Sequence, residues 1–377
     1  MASISASLTH GTGWAAHRLP RSLHPMAWWL WALGLAAAGS RTTNPLLLGA
    51  VVGVVTWVVL ARRGDNPWAN AFRLYALAAV VVVALRVFFQ VVFGGGEGGH
   101  VLVSLPQLAL PHYAAGVHLL GDVSAESLLS GLYGGLRLAT MLLCLGGANA
   151  LANPRRMLRS MPSALHEVST AVVVALSVFP QLAESVVRTT MARKLRPASH
   201  GNRFAALLGV VIPVLEDALD RSLLLASSMD SRGYGRSGDR SRRSSVAVGA
   251  LLLTGLAGMA VGAYALLDAT TPRYLATPVL IAGVVVGSVG LLLSGRGVAR
   301  TAYRPDHWYA AEIVTASSGL AAALLSFVSA RVDPLDLNPS VYPLTWPQLP
   351  LLALAALLLG LVPIVAAPPP VTAEATP

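Results

Sequence analysis

AFRLYALAAVVVVALRVFFQVVF, residues 71–93, decides the class of fold. Its only charges are Arg73 and Arg86. A helix of that length rises about 35 Å at ~1.5 Å per residue, enough to cross ~30 Å of hydrocarbon. Seven further apolar runs flank it: Met26–Ala38, Pro45–Ala61, Leu128–Ala150, Val246–Leu267, Leu275–Leu293, Ala310–Ala330 and Leu349–Val365. The chain of 377 residues is 55% hydrophobic and 12% charged, against the ~25% charged of an ordinary soluble domain. A disordered chain and a single soluble domain are excluded. The expected fold is all-α, a polytopic membrane protein with about eight transmembrane helices and long cytoplasmic helices.

The formal net charge is +10, and all basic residues except Lys194 are arginine. In a bilayer protein this excess marks cytoplasmic loops rather than a nucleic-acid surface. Arg62, Arg63 and Arg73 follow the second run; residues 94–127 hold no Lys or Arg; 14 of the 27 basic residues fall within 151–245. Both termini and 151–245 are therefore expected inside the cell membrane, with 94–127 outside. The organisation expected is a cytoplasmic N-terminus (1–25), a bundle of four spans (26–150), a cytoplasmic region (151–245), C-terminal spans (246–367) and a disordered tail (368–377). Arg18–Pro25 ahead of an apolar run mimics a secretory signal, but the turn at Asn44-Pro45 and the second run fit a helical hairpin better. Trp28, Trp29 and Trp31 read as interfacial anchors. Ser124 is expected to cap the fourth span, with Glu126 in its first turn.

Chemistry is scarce. Lys194 lies outside any P-loop motif, so an ATP-driven process needs ATP and Mg bound by a partner. The single Cys144 precludes an internal disulfide. His100, His112 and His118 match no tight metal-ligand spacing, and no cofactor or metal site is expected. Glu216, Asp217 and Asp220 are the only acidic cluster suited to a membrane-face enzyme, and Asp217 already has an i,i+4 partner in Arg221. Arg86 and Arg137 fall inside expected spans, where a charge costs about 2.5–3.5 kcal/mol on insertion scales. Snorkelling, a pair with Glu126 or Asp122, and a polar contact in the bundle all remain open for them. Gly131, Gly134 and Gly135 permit close helix packing or a sliding surface for a partner.

Within 151–245, segment 164–196 reads as one helix whose apolar centre, Ala171–Phe179, is short for a span, with Pro180 kinking it or ending its first half. It must stop before Pro197, which puts Arg193 in its last turn. Segment 203–232 is a second, amphipathic helix bent at Pro213. It closes at Ser231-Arg232-Gly233-Tyr234-Gly235, with Gly233 suited to the left-handed position after a helix end. Two readings of the arginine ends stay open: interfacial helices with solvated termini, or docking tips for an acidic groove on a soluble partner.

Leu23-His24-Pro25, Asn44-Pro45-Leu46-Leu47-Leu48, Gly131…Gly135-Leu136-Arg137, Asn153-Pro154, Met161-Pro162 and Phe179-Pro180 stand in an order that resembles the transmembrane T component of energy-coupling factor (ECF) transporters, the CbiQ/EcfT family. Ala192-Arg193-Lys194 and Ser231-Arg232-Gly233 resemble that family's two arginine tips, with Lys194 where the family has glycine. The likeness covers roughly residues 20–270. It implies a scaffold for two ABC-type ATPases, separate or fused, and for a membrane S component that captures a vitamin or a transition-metal ion such as cobalt. It implies that Ala192, Arg193, Ser231, Arg232 and Gly233 dock the ATPases. Pro180 and Pro213 are candidate hinges, and Arg86, Arg137, Gly131 and Gly135 candidate intramembrane or S-component contacts. No nucleic-acid partner is expected. The competing expectation is a stand-alone secondary transporter or channel, although the first four spans carry no acid on a substrate path.

Overall fold

A computed structural model describes residues 21–64, 70–93, 99–104, 106, 121–160, 165–195, 203–233, 242–268, 272–295 and 306–370. In chain order the elements are α1 (Pro25–Ser40), α2 (Pro45–Arg62), α3 (Ala71–Phe93), β1 (Val101–Ser104), β2 (Asp122–Ser124), α4 (Ala125–Leu151), α5 (Pro154–Arg159), α6 (His166–Lys194), α7 (Arg203–Ser231), α8 (Arg242–Leu267), α9 (Arg273–Gly295), α10 (Ala310–Val332), α11 (Pro334–Leu337), α12 (Leu351–Leu358), a 3-10 turn at Leu359–Leu361, and α13 (Pro363–Ala366). The protein is all-α apart from one short antiparallel pair, β1 with β2, among the described residues.

Among the described residues, seven helices are long and apolar enough to cross a membrane: α2, α3, α4, α6, α8, α9 and α10. This set differs from the eight expected runs in two ways. The 16 residues of α1 rise only about 24 Å, and the last run is broken into α12, the 3-10 turn and α13, which begins at Pro363. Conversely, α6 qualifies by length and composition, because Pro180 sits inside a continuous helix and does not end its apolar stretch.

The chain forms two compact units, Met1–Met157 with Asp306–Pro377, and Leu158–Pro305. In the first, local chemistry starts the helices. The His24 ring accepts from the Met26 N–H (3.2 Å), Asn44 from Leu46 (3.0 Å) and Ser124 from Ser127 (3.2 Å). A proline follows both His24 and Asn44, and its missing N–H is harmless at a first helical position. The core gathers Trp31, Leu35, Leu47, Val51, Val55 and Val58, all from α1 and α2. An apolar helix without a polar face belongs inside a bundle, and α1 takes that place. Trp28 and Trp31 are therefore core residues, not interfacial anchors. Their rings meet edge to face at 5.9 Å, and the Trp31 indole donates to the Gly360 carbonyl at 3.0 Å.

Asn44 is fully buried and satisfied at both ends of its amide. Its nitrogen donates to the carbonyls of Asp336 (2.9 Å) and Gln348 (2.6 Å), tying the α1–α2 turn to the segment after α10. In the second unit, α6 lies antiparallel to α7, and α8 to α9. The α8–α9 crossing is glycine on glycine: a Cβ at Gly258 would lie 2.9 Å from the Gly283 Cα.

Candidate functional site

The arginine ends belong to the α6–α7 pair. Ser185 on α6 donates to Asp217 on α7 at 2.7 Å, Arg221 donates to the same carboxylate at 3.0 Å, and Arg188 approaches it to 3.7 Å. Arg221 also reaches Gln181 at 3.1 Å. One carboxylate thus joins two helices and two arginines. Glu216 and Asp220 are exposed. Asp217 is a packing hub here rather than a member of a catalytic acid cluster.

The Ser185 hydroxyl, followed by Arg221, holds the Asp217 carboxyl below its ordinary value of 3.8. The carboxylate's contribution to the pairing is then present above the ordinary aspartate range and is lost as pH falls through the lower folded value. Asp217→Asn should loosen α6 from α7 already at neutral pH. Spin labels at Glu184→Cys and Glu216→Cys, with Cys144→Ser, should give a narrow distance distribution for the native hub at pH 7 and pH 5. Asp217→Asn should give a broad one at both. An unchanged distribution in that variant would mean that Asp217 does not hold the two helices together.

The two arginines end up in different surroundings. Arg193 lies in the last turn of α6, as expected, and is half-buried, with Ala192 and Lys194 exposed beside it. Its guanidinium lies over α7 at Gly209, where a Cβ would come within 2.6 Å of Nη1. A methyl there would make the guanidinium shift aside. The signal in the sequence was a lone glycine inside a helical pattern, which sequence reasoning passed over.

Arg232 stands one residue beyond α7 on the closing turn and is exposed, as is Ser231. Gly233 has φ 72°, the left-handed conformation expected of it, and its N–H reaches the Asp230 carbonyl at 2.8 Å. Tyr234, Gly235, Pro197, Met161 and Pro162 lie outside the described residues. Because the helices are antiparallel, with Arg193 beside Gly209, Arg193 and Arg232 sit at opposite ends of the pair. The 23 intervening residues of α7 put them about 35 Å apart along the axis. Pro180 and Pro213 lie inside continuous helices, each removing one backbone hydrogen bond near mid-length.

The intramembrane candidates lie in the other unit. Gly131 and Gly135 are filled by α3: added Cβ atoms would meet the Gln90 Cβ at 2.8 Å and the Arg86 Cβ at 3.2 Å. Arg86 is exposed and runs past Gly134. Arg137 donates to the Ser40 carbonyl at the C-terminal end of α1, where a cation suits the helix dipole. Glu126 pairs instead with His100, accepting from its backbone N–H at 3.0 Å and lying 2.9 Å from its ring nitrogen. His112 and His118 lie outside the described residues.

No protein family model matches this chain, and no curated protein does.

Proposed function

We propose that this chain is the T component of an ECF-type ABC importer, a scaffold in the plasma membrane with both termini on the cytoplasmic side, where α6, although apolar enough to cross, lies with α7. One arrangement carries the reading: two long helices, joined through Asp217, present Arg193 and Arg232 at opposite ends of one pair. A separation of about 35 Å suits two ATPase sites side by side, from two subunits or one fused chain.

At each site the planar guanidinium pairs with a carboxylate in the ATPase groove. Arg232 is presented freely on its turn. Arg193 leaves Gly209 to engage. ATP and Mg are held by the partner, since this chain has no Gly-Lys-Ser/Thr motif. Movement of the ATPases is passed along α6 and α7 as a unit through the Asp217 hub, with Pro180 and Pro213 as bend points. An S component in the same membrane supplies the vitamin or transition-metal ion. Gly131, Gly135 and Arg137 serve the packing of the bundle in this reading.

Co-purification with the candidate ATPase and S component tests it. Arg193→Glu with Arg232→Glu should lower ATPase retention by a hundredfold or more, since each reversal removes a charge-assisted bond of ~1.5–3 kcal/mol. Arg232→Glu alone should account for the larger share, because Arg232 is the more exposed. Full retention in the double variant, or no ATPase bound to the native chain, would overturn the proposal in favour of a stand-alone transporter or channel.

A further inference from the structure

At the C-terminal end of α2, Arg62 is half-buried. One of its terminal nitrogens donates to the Ile364 carbonyl, while its Nε is buried and has no hydrogen-bond partner. No carboxylate among the described residues pairs with it. A half-buried guanidinium with one nitrogen unpartnered is a group that a bound anion would stabilise.

Space for one is present. Arg62 lines a cavity of about 70 Å³ with Arg21, Ser22 and the backbone at Gly64 on its polar side, and Leu23 and Trp28 on its apolar side. That is several times the ~10–15 Å³ one water needs. Arg21 is charge-balanced by Glu312, so among the described residues Arg62 supplies the charge on this cavity that has no carboxylate partner. The cavity opens where a membrane-crossing helix ends, which is the level of lipid headgroups.

We propose that this cavity binds a phosphate-bearing anion, with Arg62 as its charged ligand. The chemistry fits either a phospholipid headgroup or free phosphate. Arginine donates in a planar fork to phosphate oxygens, and basic pockets at helix ends hold anionic headgroups.

The test uses the full chain in neutral detergent. Thermal unfolding is followed during titration with short-chain phosphatidylglycerol, short-chain phosphatidylcholine or inorganic phosphate. Phosphatidylglycerol should raise the midpoint of the native protein more than phosphatidylcholine does. Arg62→Gln should weaken that binding tenfold or more, since a bond to a charged group is lost. Arg63→Gln, whose parent side chain is exposed, should leave it unchanged. A rise with inorganic phosphate identifies free phosphate as a ligand; a rise with lipid alone identifies the headgroup. Gly64→Leu, which adds bulk at a residue lining the cavity, should weaken binding as well, and it decides the matter if Arg62→Gln does not fold. No rise with any ligand, or equal losses in Arg62→Gln and Arg63→Gln, would overturn the proposal. So would binding gained only in Asp65→Asn, which would make Asp65, outside the described residues, the internal partner of Arg62.

Discussion

Gly319→Ala should destabilise the first unit by about 3 kcal/mol, the upper part of the range for overpacking. A Cβ at Gly319 would fall inside 3 Å of three backbone atoms of Trp31, and a Cβ at Gly34 would collide with the Gly319 carbonyl. Backbone cannot rotate aside, so α1 and α10 must separate. Trp31 is fully buried and donates to Gly360, which adds a hydrogen bond to what is strained. The control is Gly49→Ala, with nothing within 4 Å of the added methyl. On helix propensity alone it should be neutral or stabilising by about 0.5–1 kcal/mol. The only cysteine, Cys144, is buried in the same core, so labelling by a thiol-reactive dye during heating reads both variants. The expected fall in midpoint for Gly319→Ala is about 10 °C. Equal midpoints for the two variants would contradict the close crossing.

Glu312→Ala should cost about 3–5 kcal/mol, the penalty for leaving one half of a buried ion pair. Glu312 is 1% exposed and accepts from both terminal nitrogens of Arg21 (2.9 and 3.1 Å) and from the Tyr309 N–H (3.1 Å). Arg21 also lies over the Tyr309 ring, 4.6 Å from its centroid. Beside this pair, Arg156 binds Asp306 at 2.9 Å and the Ser22 carbonyl at 3.0 Å, so the start of α1, the start of α5 and the start of α10 meet in one charged junction. Truncating Glu312 strands Arg21 and the Tyr309 N–H together. Removing both charges, as Arg21→Met with Glu312→Leu, should restore most of the loss, because neither partner is then left unpaired. A double-mutant cycle on the dye-labelling midpoint gives the coupling directly. Additive losses would mean that the two side chains act independently.

The junction also shows where sequence reading stops. Glu312 is visible in the sequence as an acid in the first turn of an apolar helix, and its position near the end of the span argues against a proton path. Its partner lies 291 residues earlier, in a polar stretch with no pattern to mark it. The same holds for Asn44. Its capping role is local and legible in Asn44-Pro45, whereas its bonds to Asp336 and Gln348 reach across about 300 residues of chain. The tryptophans of α1 misled for a related reason: a Trp near the end of an apolar run suits the membrane interface and the bundle core equally, and only the neighbouring helices choose between them.

At the candidate site the division is similar. Helix ends are written in residues a few positions apart, so the close of α6 before Pro197 and the left-handed turn at Gly233 follow from sequence. The i,i+4 pair of Asp217 and Arg221 follows from it as well. The sequence by itself thus determined the helical class, the apolar segments, the caps and the two arginine ends, because periodicity, capping and turn conformation are interactions among residues within one or two turns. The tertiary structure alone decided that Arg193 rests on Gly209 while Arg232 is exposed, that Asp217 also binds Ser185 across to α6, that α1 is interior and that Arg62 is half-buried. Those outcomes depend on which helices pack together, and that choice is made by shape and charge between segments far apart in the chain.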